Sequence, residues 1–98
     1  MTPRIVLTMI VKNETAVLKR SLGSVRGLVD SWCIVDTGST DGTQDMVREL
    51  MADIPGELHE RPWVDFAHNR SEALELSRPL GEYSLMLDAD DQDRKSVV

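Results

Sequence analysis

Three times within 98 residues, a short apolar run gives way to a polar turn and then to a segment whose apolar side chains recur three or four positions apart. That alternation constrains the fold more than any other feature. The run "IVLTMIV", Ile5 to Val11, is nearly continuous and rich in β-branched residues, so it reads as a strand covered on both faces. Leu18, Leu22, Val25 and Val29 then follow at spacings of four, three and four, one face of a helix, with Asn13 as the expected N-cap. Trp32 to Val35 reads as a second buried strand. Val47, Leu50, Met51 and Ile54 fall at i, i+3, i+4 and i+7, marking a second helix that Thr43 would cap and Pro55-Gly56 would stop. "ELHER", residues 57 to 61, is a weaker third strand. A third helix is expected within "PWVDFAHNRSEALELSRP", from a cap at Asp65 to Pro79, with Phe66, Ala67, Ala73 and Leu74 turned inward. Tyr83 to Leu87 closes the series as a fourth strand. The pattern predicts an α/β fold, a parallel β-α-β-α-β-α-β sheet with right-handed crossovers.

Ninety-eight residues suffice for one small domain. No apolar run approaches the roughly 20 residues of a membrane helix, and no small-residue cleavage site follows the first strand, so no membrane segment and a cytoplasmic location are expected. Cys33 is the single cysteine, which excludes an internal disulfide or a cysteine-based zinc site, and it reads as a buried core thiol. With 17 acidic against 11 basic residues the net charge is −6, which argues against a nucleic-acid partner. A phosphorylated ligand would need a bridging cation.

"VDTGSTDGT", residues 35 to 43, contains the Asp-Thr-Gly-Ser stretch of aspartic protease loops, and a chain of this length with one copy could in principle form a dyad by dimerising. The amphipathic helix that follows is foreign to that all-β architecture. In an open parallel sheet, ligands bind beyond the carboxyl ends of the strands. That rule selects three polar loops: Asn13 and Glu14, Asp36 to Asp41, and Asp88 to Asp91. In "MLDADD" the side chains of Asp88 and Asp90, two apart on an extended segment, would point the same way and could face one hard cation, Mg2+ or Mn2+, whose other positions water and phosphate oxygens would fill. The run does not continue as an EF-hand, because Asp93 stands where glycine is needed. No Gly-x-Gly-x-x-Gly or Gly-Lys-Ser/Thr phosphate loop occurs.

In order and spacing, "MIVKNE", "VDTGSTDGT", "PWVDFAHNRSEAL" and "YSLMLDADD" resemble the N-terminal half of a family 2 glycosyltransferase domain of the GT-A fold, over residues 4 to about 91. The resemblance implies a nucleotide-diphosphate sugar donor over the carboxyl edge of the sheet, and an enzyme of hexosyltransferase-like activity, the alternative being a catalytically silent nucleotide-sugar-binding module. It puts Asp88 and Asp90 on the divalent metal and diphosphate, Val11 and Glu14 beside the nucleotide, and Asp36 against the nucleoside. Arg70 stands where the family often has a basic residue near the donor; its chemistry equally suits an ion pair with Glu72 or Glu75. Trp63 and Phe66 are expected to join the core where the third helix begins, a sugar-stacking surface being the other possibility. His68 and Asn69 receive no role.

The resemblance also implies a further hundred or more residues beyond the Asp-x-Asp motif. These would carry the site for an unknown acceptor (glycan, lipid or protein) and, in inverting members, the general base. Residues 1–92 are therefore expected to be a partial domain, inactive by itself, with the fourth strand's outer edge unpaired. The tail "DRKSVV", residues 93–98, matches an in-frame translation of the sequencing-adapter string GATCGGAAGAGCGTCGTG and is expected to be non-native. Resequencing the locus should yield a frame that diverges after about Gln92; a genomic frame encoding this tail and then a stop would contradict that origin.

Overall fold

The computed structural model describes residues 4–88 and 91–97. Strand β1 (Ile5–Val11) leads to α1 (Thr15–Val25), β2 (Ser31–Asp36), α2 (Thr43–Leu50), β3 (Gly56–Glu60), α3 (Phe66–Ser77), β4 (Tyr83–Asp88) and β5 (Asp91–Val97). The sheet order is β3-β2-β1-β4-β5. The first four strands are all parallel, as the α/β reading requires, and β5 runs antiparallel to β4. The outer edge of β4, expected to lie open, is therefore paired along its backbone with residues 91–97.

The two faces of the sheet are built differently. On one, Leu7, Met9 and Val11 of β1 and Trp32 and Ile34 of β2 pack against Leu18, Leu22 and Val25 of α1 and Val47 of α2, with Met51 just beyond it. These side chains carry the helical spacings seen in the sequence, and their burial supplies the main apolar driving force. On the other face α3 lies over β1 and β2 with small and polar residues inward: Asn69, Ala73 and Ser77, one per turn, are fully buried. The Thr8 and Ser77 hydroxyls hydrogen-bond at 2.7 Å, and the Ser77 hydroxyl also donates to the Ala73 carbonyl at 2.8 Å. Of the four residues expected to face inward, only Ala73 is fully buried, and Phe66 is about half exposed. Reading apolar content as burial misplaces this helix, because satisfied hydroxyls and an amide occupy its inner line. Cys33 is fully buried on β2, and burial raises its thiol pKa above the ordinary 9.0.

Two helix ends also differ from the sequence expectation. Asn13 does not cap α1; it adopts a positive φ of 52° in the preceding turn, and Glu14 occupies the cap position. Helix α2 ends at Leu50, so Pro55-Gly56 does not stop the helix: Pro55 precedes the next strand and Gly56 begins it. Gly56 pairs with Trp32, whose indole N–H donates to the Ile54 carbonyl at 2.7 Å. A Cβ at Gly56 would lie 2.2–2.3 Å from ring atoms of Trp32. Gly56→Ala should therefore destabilise the chain by about 1–3 kcal/mol in chemical denaturation; an unchanged midpoint would show that the indole moves without cost.

Candidate functional site at the carboxyl edge

Parallel pairing sets Val11 opposite Asp36 and Asp36 opposite Glu60, so β1, β2 and β3 end in one row. The chain leaves that row through loops that are bonded to one another. The Thr37 amide donates to the Val11 carbonyl at 3.0 Å, and the Arg61 amide to the Asp36 carbonyl at 3.0 Å. Asn13 donates its amide to the Ser39 hydroxyl and accepts from the Thr40 amide through Oδ1, both at 2.8 Å. The Glu14 amide donates to Thr43 Oγ1 at 3.0 Å, and the Thr15 hydroxyl to Asp41 Oδ2 at 3.1 Å. Thr43, expected as a cap, is instead the first residue of α2, behind Gly42 at φ 88°, and Asp41 Oδ1 accepts its amide at 3.1 Å. The Thr43 hydroxyl also donates to Asp41, and this bond is the main reason that the exposed Asp41 carboxyl sits below its ordinary pKa. "KNET" and "VDTGSTDGT" thus form one hydrogen-bonded unit.

Asp36 lies at its centre, 1% exposed. Its Oδ1 accepts the amides of Gly38 at 2.8 Å and Ser39 at 2.7 Å, a turn that requires the positive φ of 123° at Gly38. Its Oδ2 is buried and makes no hydrogen bond among the described residues. Burial pushes the carboxyl pKa up, but hydrogen bonding from Ser39 and Gly38, with the Gln44 side chain also contributing, outweighs it and holds the group below its ordinary 3.8. An ionised carboxylate with one free lobe can accept an N–H or O–H from a ligand. Beside it opens a cavity of about 420 Å3, bounded by Asp36, Thr37, Ser39, Gln44, Glu60 and Arg61.

Thr37 also borders a second cavity, of about 320 Å3, whose walls include Val11, Lys12, Glu14, Trp63 and Phe66. Trp63 and Phe66 are each 52% exposed, so they line this opening instead of joining the core as expected. Their loop is fixed from α3. Asp65 accepts the His68 amide at 2.7 Å as the helix cap, while Asn69 accepts from the Val64 amide at 2.9 Å and donates to the Pro62 carbonyl at 3.0 Å.

Of the residues proposed from sequence, Val11, Glu14 and Asp36 come together at this edge. Arg70 lies half-buried on α3 and borders neither cavity. Its alternative partners pair elsewhere, Glu72 with Arg61 at 3.6 Å and Glu75 with Arg78 at 3.9 Å. Asp88 ends β4, on the same side of the parallel sheet as Val11 and Asp36; Asp90 lies outside the described residues. Among the described residues no cluster of three or more His, Cys, Asp or Glu could hold a metal. No helix among them is long and apolar enough to cross a membrane. Gln44, Glu60, Arg61 and Asn69 were not singled out by sequence. The rule that ligands gather at strand ends covers Glu60 and Arg61 once "ELHER" is accepted as a strand; Gln44 lies in the first turn of α2, just past the loop after β2, and the spacing of Asn69, Ala73 and Ser77 along one helix line was the signal for the fourth. The protease reading fails here, because Asp36 stands between a parallel strand and a helix.

Comparison with known proteins agrees with this architecture. The family model described as glycosyl transferase family 2 matches residues 7–98, a span that includes the tail. The chain belongs to that family. It is 37% identical over 86 residues to a TPR repeat-containing protein of Synechococcus elongatus, covering 88% of this chain and 20% of that protein. An uncharacterized glycosyltransferase of Rickettsia felis is 32% identical over 88 residues, covering 90% of this chain and 29% of the relative. One from Rickettsia bellii is 29% identical over 97 residues, covering 99% and 31%. The chain thus spans less than a third of the length of these relatives.

A carboxyl whose folded pKa is depressed stabilises the fold fully above its unfolded value and loses that contribution as pH falls through the folded value. Asp36 should therefore titrate below 3.8 by carbon-detected NMR, and Asp36→Asn should flatten the acid arm of the stability curve below that pH. A midpoint above 3.8 would mean that burial outweighs the loop amides.

Proposed function

We propose that this chain binds the nucleotide-diphosphate part of a sugar donor over the carboxyl edge of its sheet, and that the longer protein transfers the sugar to an acceptor. Glycosyl transfer in general follows from the family; the donor, the metal and the residue roles are the inference. The observation that carries it is the buried, unpartnered Oδ2 of Asp36, held on a rigid turn beside an open cavity. An orphaned buried acceptor is costly unless a ligand satisfies it. A nucleoside offers the N–H and O–H donors to do so, with Val11 and Glu14 flanking it; Arg61 borders the cavity beside Asp36, and Arg70 would reach the donor only from α3.

Asp88 and Asp90 would hold the divalent metal, Mn2+ or Mg2+. Carboxylate oxygens are the donors such hard cations prefer, and a chain of net charge −6 needs a cation to hold a diphosphate. When bound, the metal would offset charge on the diphosphate leaving group. The chain's own residues would meanwhile bind and orient: Asp36 accepts from the nucleoside, and the bonded "KNET" and "VDTGSTDGT" loops keep the ligand's site from deforming. The acceptor (glycan, lipid or protein), the hexosyl specificity and the general base are assigned to no residue of this chain. The 98 residues alone are expected to bind donor and transfer little.

Calorimetric titration with UDP- and GDP-sugars, with and without Mn2+, tests this reading. Binding should require the metal, disappear in Asp90→Ala and weaken about ten-fold or more in Asp36→Ala, the scale of a lost hydrogen bond to a charged group. Absence of any binding by the unmodified chain would overturn it.

A further inference from the structure

Strand β3 forms one edge of the sheet, paired with β2 and, among the described residues, with no strand on its other side. In a parallel ladder the backbone groups of successive residues point alternately toward one neighbour and away from it. Two bonds fix which residues of β3 do which: the Trp32 amide donates to the Pro55 carbonyl at 3.1 Å, and the Arg61 amide to the Asp36 carbonyl at 3.0 Å. With Trp32 opposite Gly56 and Asp36 opposite Glu60, the N–H and C=O groups of Glu57 and His59 are directed at β2. Those of Gly56, Leu58 and Glu60 therefore face outward. The Glu60 carbonyl accepts from the Arg61 guanidinium at 2.7 Å and keeps a second lone pair. An edge of this kind is a template for another strand, and β3 carries neither a proline nor a bulge to blunt it.

The side chains divide between the two faces. Leu58 stands opposite Ile34 and packs against the apolar core, on the side where a cavity of about 460 Å3 has Trp32, Met51, Ile54, Pro55 and Leu58 in its walls. Glu57 and His59 share the other face, where α3 lies chiefly over β1 and β2. His59 Nε2 is 2.9 Å from Glu57 Oε1, and the glutamate side chain is about half exposed.

We propose that β3 pairs with β3 of a second copy of this chain, antiparallel about a two-fold axis at Leu58. This interaction surface is separate from the donor site and does not depend on the donor reading. The axis sets Leu58 opposite Leu58 of the partner subunit and Gly56 opposite Glu60 of the partner subunit, so residues with outward backbone groups meet and can exchange both N–H···O bonds. Between them Glu57 faces His59 of the partner subunit, in the closer positions where cross-strand side chains interact. Charge complementarity selects this pairing. Each Glu57 meets an imidazole, and each Glu60 meets a glycine. Sliding the strands to the next compatible registers would set Glu57 against Glu57 or His59 against His59, and the intermediate registers would turn outward groups toward inward ones. "GELHE" is thus self-complementary in a single antiparallel register.

Sedimentation equilibrium of the full chain, from about micromolar to millimolar concentration, tests the proposal, because so short a strand pair buries little surface and its dimer should be weak. A reversible monomer-dimer equilibrium is expected in that range. His59→Glu would oppose carboxylates on both sides of the axis and should weaken the dimer by about ten-fold or more, whereas His59→Lys keeps a cation opposite Glu57 and should dimerise at least as well as the unmodified chain. Both variants should keep its circular dichroism spectrum. The register is read independently by mixing a Glu57→Cys chain with a His59→Cys chain under mild oxidation. Non-hydrogen-bonded antiparallel pairs bring their Cα atoms to about 4.5 Å, within reach of a disulfide, so the mixture should yield a covalent dimer of one of each while either chain alone stays uncrosslinked. Cys33 is fully buried and does not compete. A chain that stays monomeric to millimolar concentration, a dimer indifferent to His59→Glu, or a crosslink that forms as readily in Glu57→Cys alone would overturn the proposal.

Discussion

The site depends on one turn, in which the Asp36 carboxylate accepts the amides of Gly38 and Ser39 at the end of β2. Oδ1 is committed to those amides, and Oδ2 is buried and makes no hydrogen bond among the described residues, so it can accept from a ligand. The same turn presents the Ser39 hydroxyl and the Thr40 amide to Asn13, and so fixes the loop after β1. Two loops that would each be mobile alone become one surface, supported from below by the parallel row of Val11, Asp36 and Glu60. Rigidity of this sort is what a site for a polar ligand needs, since the cost of ordering the loops is met in folding rather than in binding.

The two faces of the sheet divide the work. The apolar face, where Leu7, Met9, Leu22 and Val47 interdigitate, carries stability. The α3 face carries position, because small side chains at Ala73 and Ser77 let the helix approach the strands closely and Asn69 reaches out to the loop bearing Trp63. The helix that looks weakest by hydrophobic pattern is therefore the one most involved in shaping the aromatic cavity.

How much of this was legible in the sequence follows from which physical signals are local. Strands β1 and β2 were readable because both faces are buried and their runs are continuously apolar. Helix α2 was readable from Val47 and Met51. Asp36, Val11 and Glu14 were placed at one edge by the strand-end rule and the resemblance to the family, and they do meet there. What was not legible depends on partners far away in sequence. Asn13 looked like a cap because Asn is a good one, yet its side chain bonds Thr40, 27 positions on. Phe66 and Trp63 looked like core because they are large and apolar, and only the tertiary arrangement shows them lining an opening. The pairing of residues 91–97 with β4 is likewise a backbone relation that their polar sequence does not announce.

The central claim is that the ligand lies across the ends of β1 and β2 and against the loop before α3. Amide NMR of the isotope-labelled chain, titrated with UDP and Mg2+, addresses it most directly. The account predicts shift changes concentrated at Val11 to Glu14, Asp36 to Ser39 and Trp63 to Phe66, with the Trp63 indole N–H among the largest. Changes centred on the opposite edge, around Asp30 and Gly56, would contradict it.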